Sequence, residues 1–382
     1  MAAQSPKPST GKISGPSRDG RIAVLGAGGF LGSHIVPALR AALGCEIDAV
    51  DVNLGKLALA PDDEGVRRVT ARLDQPGLVD EITGRCGTVI SLTALCNPAL
   101  YSTRPLEVID ANYTELLPLV KACAARGNRL IHFSTCEVYG RRALDAAGWP
   151  MDEMSEDRTG LFLGPVHRER WTYACAKQLL ERVIWAHGRH GDLAFTIIRP
   201  FNVIGPRMDF LPGIDGEGVP RVLASFMNAL LRGQPLPLVE EGRQRRTFIS
   251  VHDFVEGVVR VVERPGVCRG EILNLGNPDN DVTIRELGEA LARAFAAFDP
   301  AAAPARFQSV PARALYGDGY DDTDERIPDL TKARRLLHFH PQTTLAAMLP
   351  EIVADYAARY RPLLQAEASE ARALAARQAG GG

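Results

Sequence analysis

Short apolar runs recur along the chain, each followed by a stretch with helical spacing. They are RIAVLG (21–26), EIDAVD (46–51), VRRVTA (66–71), TVISLTAL (88–95), RLIHFST (129–135), AFTIIRP (194–200) and EILNLG (271–276). Runs this apolar, separated by helices, predict a parallel sheet covered on both faces, a doubly wound α/β fold. From residue 201 onward the pattern loosens into Gly/Pro-rich loops, IGPRMDFLPGIDGEGVPR (204–221) and YGDGYDDTDERIPD (316–329). The expected organisation is a cofactor-binding unit over 21–200, with 243–278 returning to it. A smaller substrate-binding unit takes 201–242 and 279–362. Residues 1–20, rich in Ser, Pro, Gly and Lys, are expected to be a disordered tail. Residues 363–382 form a second tail, in which ARQAGGG is a flexible end after an Ala-rich helix.

Composition narrows the function classes. A net charge of −2 gives no electrostatic footprint for nucleic acid or an anionic membrane. No apolar leader or membrane-length run is present, so a cytoplasmic protein is expected. Seven Cys without CxxC spacing read as reduced thiols, and with eight dispersed His they suggest no metal site. Six of the 44 cations are Lys. That bias favours sites gripping carboxylate or phosphate in a planar fork, although genome composition produces it equally.

GAGGFLGSHIVPALR (26–40) follows the first strand and opens a helix. Gly26, Gly29 and Gly32, with Gly28, Phe30 and Leu31 between them, suit a turn that brings backbone close to a pyrophosphate at a helix N-terminus. Asp51, ending the second strand, would accept from ribose hydroxyls and repel a 2′-phosphate, which favours NAD over NADP. Asp74 is a weaker candidate for the adenine end. In RWTYACAKQLLERVIWA (170–186), Tyr173 and Lys177 stand one helical turn apart. A Tyr acts as base near neutrality only if its pKa falls from about 10, and an adjacent ammonium pushes that way. Cys136 sits where a strand should end, as either a small buried hydrophobe or a proton-transfer group.

With the Gly-rich turn upstream and STCE (134–137) before it, the Tyr/Lys pair resembles the short-chain dehydrogenase/reductase site. That resemblance implies that Thr135 completes the set by hydrogen-bonding the hydroxyl being oxidised; a strand-end hydroxyl bonded to backbone is the alternative. RPFNVIGPR (199–207) and RRTFISVHDFVEG (245–257) resemble its extended branch, which works on nucleotide sugars. ALCNPALYSTRP (94–105), the stretch around STCEVYG and the two Gly/Pro-rich loops resemble, within that branch, the UDP-apiose/UDP-xylose synthases. The related UDP-glucuronate decarboxylases carry Ser where this chain has Cys136. Three departures stand out: Val203 in place of Trp, VEEG (239–242) in place of an Asp-Gly-Gly turn, and a GIDGEG loop two residues short.

The resemblance implies UDP-glucuronic acid as substrate, NAD as recycled oxidant and a homodimer. Helices around 104–126, kinked by Pro118, and around 165–190 would pack across its two-fold axis. Tyr173 would take the C4 proton, and the resulting ketone, β to the carboxylate, would let CO2 leave. Arg326, helped by Arg170 and Tyr101, would hold that carboxylate; the alternative for Arg326 is a salt bridge within its own acidic loop. Asn202, Arg221, Arg246 and Tyr320 would contact the nucleotide sugar. Cys136, with Cys96 and Glu137, would move protons during ring contraction to UDP-apiose, while direct return of hydride gives UDP-xylose. The rivals are release of the 4-ketopentose with NADH, a synthase of UDP-xylose alone, and a non-catalytic NAD-binding regulator.

Overall fold

The computed structural model describes residues 20–216, 218–313 and 325–379. The seven apolar runs form one parallel sheet. Its strands are β1 (Arg21–Leu25), β2 (Glu46–Asp51), β3 (Val66–Thr70), β4 (Thr88–Ser91), β5 (Arg129–Phe133), β6 (Ala194–Pro200) and, after four short strands, β11 (Glu271–Leu275). The short ones are β7 (Val203–Ile204), β8 (Leu236–Val239), β9 (Arg245–Thr247) and β10 (Ile249–Ser250). Strand order is β11-β6-β5-β4-β1-β2-β3. The chain therefore reverses direction across the sheet between β1 and β4, which opens a crevice at their C-terminal ends.

Both sheet faces are apolar, so successive side chains feed two different cores. Val24, Ile90 and Ile131 point to one side, where α1 (Gly32–Leu43) supplies Ile35 and Leu39. Ala23, Val89, Leu130 and Ile197 point to the other. There they meet α2 (Leu78–Arg85), α5 (Leu117–Arg126) and α6 (Thr172–His190) through Ile82, Val120 and Leu180. Each fully buried Val, Leu or Ile contributes roughly 1.5–3 kcal/mol. Between α2 and α5 run α3 (Pro98–Thr103) and α4 (Pro105–Asn112).

Pro118 was expected to kink one helix over 104–126. Instead the helix breaks at Tyr113 (φ −138°, ψ −65°), and Pro118 is the second residue of α5. A first-turn proline forfeits no helical hydrogen bond there, so the break needs no proline inside a helix.

The second part adds α7 (Val222–Leu231), α8 (Val251–Glu263), the one-turn α9 (Pro265–Cys268), α10 (Ile284–Phe298), α11 (Thr331–Leu337) and α12 (Leu345–Ala379). β12 (Asp281–Thr283) pairs with β9, and β13 (Phe307–Val310) with β8. Phe226 of α7, Leu287 of α10 and Ile352 of α12 join the same apolar cluster as α1. ARQA (376–379), expected in a flexible end, continues α12. The Ala, Arg and Gln of this stretch are strong helix formers.

Candidate functional site

The crevice holds a cavity of about 440 Å³. Its floor begins where β1 ends. Gly26 has φ 82°, a left-handed value that favours glycine. A Cβ on Gly28 would lie 1.8 Å from the Asn53 carbonyl oxygen, and one on Gly32 2.4 Å from that of Gly26. The turn thus packs backbone on backbone, and Gly26, Gly29, Phe30, Leu31 and Gly32 line the cavity at the start of α1. Asp51 is half-buried at the end of β2; one carboxylate oxygen accepts from the Gly28 N–H at 2.9 Å, the other from the Asn53 N–H at 3.2 Å. Lone pairs remain to accept from a ribose diol, and the glycine cradle leaves room for a pyrophosphate, so these residues fit NAD. Asp74 turns its carboxylate to Arg72 at 3.0 and 3.2 Å, while its neighbour Leu73 lines the cavity.

α6 starts at Thr172, which sets Tyr173 and Lys177 in its first two turns. Lys177 is fully buried and donates to the Phe133 carbonyl at 3.1 Å. Burial lowers its pKa to about 8. Tyr173 stacks parallel on Tyr101 with ring centroids 5.1 Å apart. Its phenol lies beside the Thr135 hydroxyl, which accepts from the Glu137 N–H at 3.2 Å. The backbone contact foreseen as the alternative for Thr135 is therefore present. Burial pushes the Tyr173 phenol well above its usual value, with Cys96, Glu137 and Cys136 adding to the rise. The lowering expected from a neighbouring ammonium is not met in the chain alone, because Lys177 reaches backbone instead.

Cys136 opens the tight turn 136–139 and packs with Val138, Met154 and Phe201. It also lines the cavity, and the Arg326 guanidinium approaches its sulfur at 3.9 Å. It is both packed and facing the site. Burial pushes its thiol up, against the pull of Arg326. Cys96, between β4 and α3, is exposed in the same cavity.

Glu137 receives Arg170 in a fork at 2.7 and 3.0 Å and Arg326 at 3.3 Å. Burial works to raise its pKa, but the two guanidiniums hold it down to about 2. Glu137 is thus a fixed anion near neutrality, with less basicity than its expected proton-moving role assumed. Arg326 pairs with this carboxylate. Three acids of its own loop (Asp321, Asp322 and Asp324) and Tyr320 lie outside the described residues.

A second cavity of about 180 Å³ adjoins the first. Arg170, Arg246, Asn202, Arg221 and Arg326 line it, and the last three reach both cavities. Asn202 also donates to the Thr247 carbonyl at 2.9 Å. The Asp209 carboxylate grips Arg221 at 2.6 and 2.9 Å. Four guanidiniums line this cavity, Arg170 and Arg326 held by Glu137 and Arg221 by Asp209, a set suited to an anionic ligand. Pro98 lines both cavities and was not foreseen. Its signal was present: Asn97 accepts from the Ala99 N–H at 3.1 Å as a helix cap, and Asn-Pro is a helix-start pair. Nothing local signalled Lys56 or Asp209, whose bond spans 153 positions.

The family model described as the NAD dependent epimerase/dehydratase family matches residues 22–276. A UDP-D-apiose/UDP-D-xylose synthase of Oryza sativa subsp. japonica is 40% identical over 375 residues, 92% of this chain and 93% of that protein. UDP-D-apiose/UDP-D-xylose synthase 1 of Arabidopsis thaliana is 42% identical over 347 residues, covering 86% and 89%. Among solved structures, the PbgP3 protein of Burkholderia pseudomallei is 30% identical with a TM-score of 0.75, covering 89% of this chain and 96% of its own. A UDP-glucuronic acid 4-epimerase of Bacillus cereus, solved with UDP-glucuronic acid and NAD, shares the fold at a TM-score of 0.74 and 20% identity, covering 89% and 100%.

Proposed function

The chain belongs to the NAD dependent epimerase/dehydratase family, and on that premise we propose that it converts UDP-glucuronic acid into UDP-apiose and UDP-xylose. The observation that carries this reading is one cavity holding Cys96, Cys136 and Arg326 beside Tyr173. Epimerisation at C4 needs proton and hydride exchange only; two thiols and a carboxylate-gripping guanidinium have tasks in decarboxylation and ring contraction. The relatives that are 40–42% identical carry the corresponding name.

NAD, which the glycine turn and Asp51 would hold, would supply the hydride chemistry, as oxidant at C4 and as reductant once CO2 has left. Tyr173 removes the C4 hydroxyl proton, and Thr135 orders phenol and substrate hydroxyl. Lys177, anchored on the Phe133 carbonyl, keeps its ammonium one helical turn from the phenol. Arg326, shared with Glu137, fixes the C6 carboxylate while CO2 leaves its electron pair in the C4 ketone. Cys136, kept as a thiol by burial, is suited to hand a proton to the resulting enolate. Cys96 exchanges the C2 hydroxyl proton as retro-aldol cleavage opens C2–C3, and reclosure through C4 contracts the ring. Glu137 holds Arg170 and Arg326 in place throughout. The adjoining cavity takes the diphosphate, with Arg221 and Arg246 toward it and Phe248 and Val239 at its apolar end.

Reduced thiols and recycled NAD suit a cytoplasmic enzyme. Two copies would pair through α4 and α6, which pack together and expose Leu106, Ile109 and Leu179.

NMR of products formed from UDP-glucuronic acid with catalytic NAD, with absorbance at 340 nm followed alongside, tests the reading. Apiosyl and xylosyl signals without lasting NADH are expected. UDP-xylose alone would remove the ring contraction, a 4-ketopentose with stoichiometric NADH would remove the return of hydride, and no turnover would remove the substrate.

A further inference from the structure

Lys56 lies five residues beyond Asp51, in the segment that leaves the ribose end of the cofactor cradle. Its ammonium crosses to the second part of the chain and donates to the Asp209 carbonyl at 2.5 Å. The Asp209 carboxylate in turn accepts from the Arg221 backbone N–H at 3.0 Å and from its guanidinium at 2.6 and 2.9 Å. Arg221 faces both cavities. Three residues thus join the wall of the cofactor cradle to a cation on the sugar-nucleotide side.

The turn they cross is strained. Arg207 has φ 63° and Asp209 φ 49°. Left-handed backbone is unfavourable for residues with a Cβ and persists where surrounding contacts over-determine it. Those contacts come from both sides. His34 of α1 meets the Arg207 guanidinium at 3.0 Å and the Pro206 carbonyl at 2.9 Å. From α12, Asp355 accepts from the Arg207 N–H at 2.8 Å, and the Tyr356 hydroxyl donates to the Met208 carbonyl at 2.6 Å. A strained turn held on two fronts relaxes when one front yields, and Arg221 would move with it.

We propose that Lys56 and Asp209 are positioning residues that transmit occupancy of the cofactor cradle to Arg221, so that the sugar nucleotide binds tightly once NAD is in place. The inference rests on the reading of the adjoining cavity as the UDP-sugar site. NAD contacts at Asp51 order the segment 52–56. The ordered segment holds Lys56 on Asp209, and the held turn presents Arg221. Such a link is a coupling free energy, and it acts in both directions.

Titration calorimetry of UDP, with and without saturating NAD, measures that coupling. In the native protein NAD should tighten UDP binding at least about fivefold. Lys56→Met should bring the ratio to about one while leaving UDP affinity without NAD within about twofold, and Lys56→Arg should keep the coupling. Asp209→Asn should weaken UDP about tenfold with or without NAD and leave NAD affinity intact. Thermal melts of each variant confirm that it is folded. Absence of UDP binding to native protein would remove the UDP-sugar reading and this inference with it. UDP binding with equal coupling in native protein and Lys56→Met, or with no coupling in the native protein, would overturn the inference alone.

Discussion

Glu137 lies wedged between two buried guanidiniums, and its pKa falls from 4.5 in a free chain to about 2. Because the folded value is the lower one, the stabilisation is complete above pH 4.5 and drains away as pH falls toward 2. Its size is on the order of 3 kcal/mol. Urea unfolding at pH 7 and pH 3 should show about 2 kcal/mol of that loss in the native protein. Glu137→Gln should be less stable at pH 7 by roughly 3–5 kcal/mol, since Arg170 and Arg326 then lose their buried counter-charge. Its stability should also change less between the two pH values. An equal pH slope in both proteins would show that the stability term lies elsewhere.

At the scale of elements, α6 sets Tyr173 and Lys177 one turn apart and buries both, and that burial has two opposite consequences. Lys177 titrates at about 8 in the fold against 10.5 in a free chain. Below 8 the fold carries the cost of a desolvated ammonium, so stability should rise as pH climbs from about 8 to 10.5. Turnover needs that ammonium and should fall over the same range. A pH–rate profile should therefore show a falling limb near 8. Lys177→Met should lack the limb and run about 10²–10⁴-fold slower; a limb that survives the substitution would assign it to another group.

The elements and this pair were legible because each is written locally. Seven apolar runs became the seven strands of the main sheet, and Tyr173 and Lys177 share a helix. The pairings were not legible. Arg170 and Glu137 meet across 33 positions, and Arg326 and Glu137 across 189. In a chain with 38 arginines no local pattern says which guanidinium meets which carboxylate. The break at Tyr113 escaped for a related reason: proline marks helix starts as well as kinks, and Pro118 alone cannot distinguish them.

At the scale of the whole molecule, Leu106 is 74% exposed on α4 and Leu179 44% on the adjoining α6. Covered by a second copy, this face would remove apolar surface from water on both chains. Light scattering should give twice the 41.3 kDa of one chain. Leu106→Glu combined with Leu179→Glu should halve it, and a native protein already monomeric at micromolar concentration would exclude the pairing.

The late arrival of β11 shapes how the chain is made. β6 ends at Pro200, and the strand that covers its open edge ends at Leu275. As the ribosome releases about 5–20 residues per second, β6 waits roughly 4–15 s with an unsatisfied row of backbone groups. Throughout that interval the nascent sheet presents a template that other chains can join. Because residues 201–270, with α7, α8 and β7 to β10, separate these two strands, completion of the sheet waits on their synthesis, and early translation arrest becomes a route to aggregation.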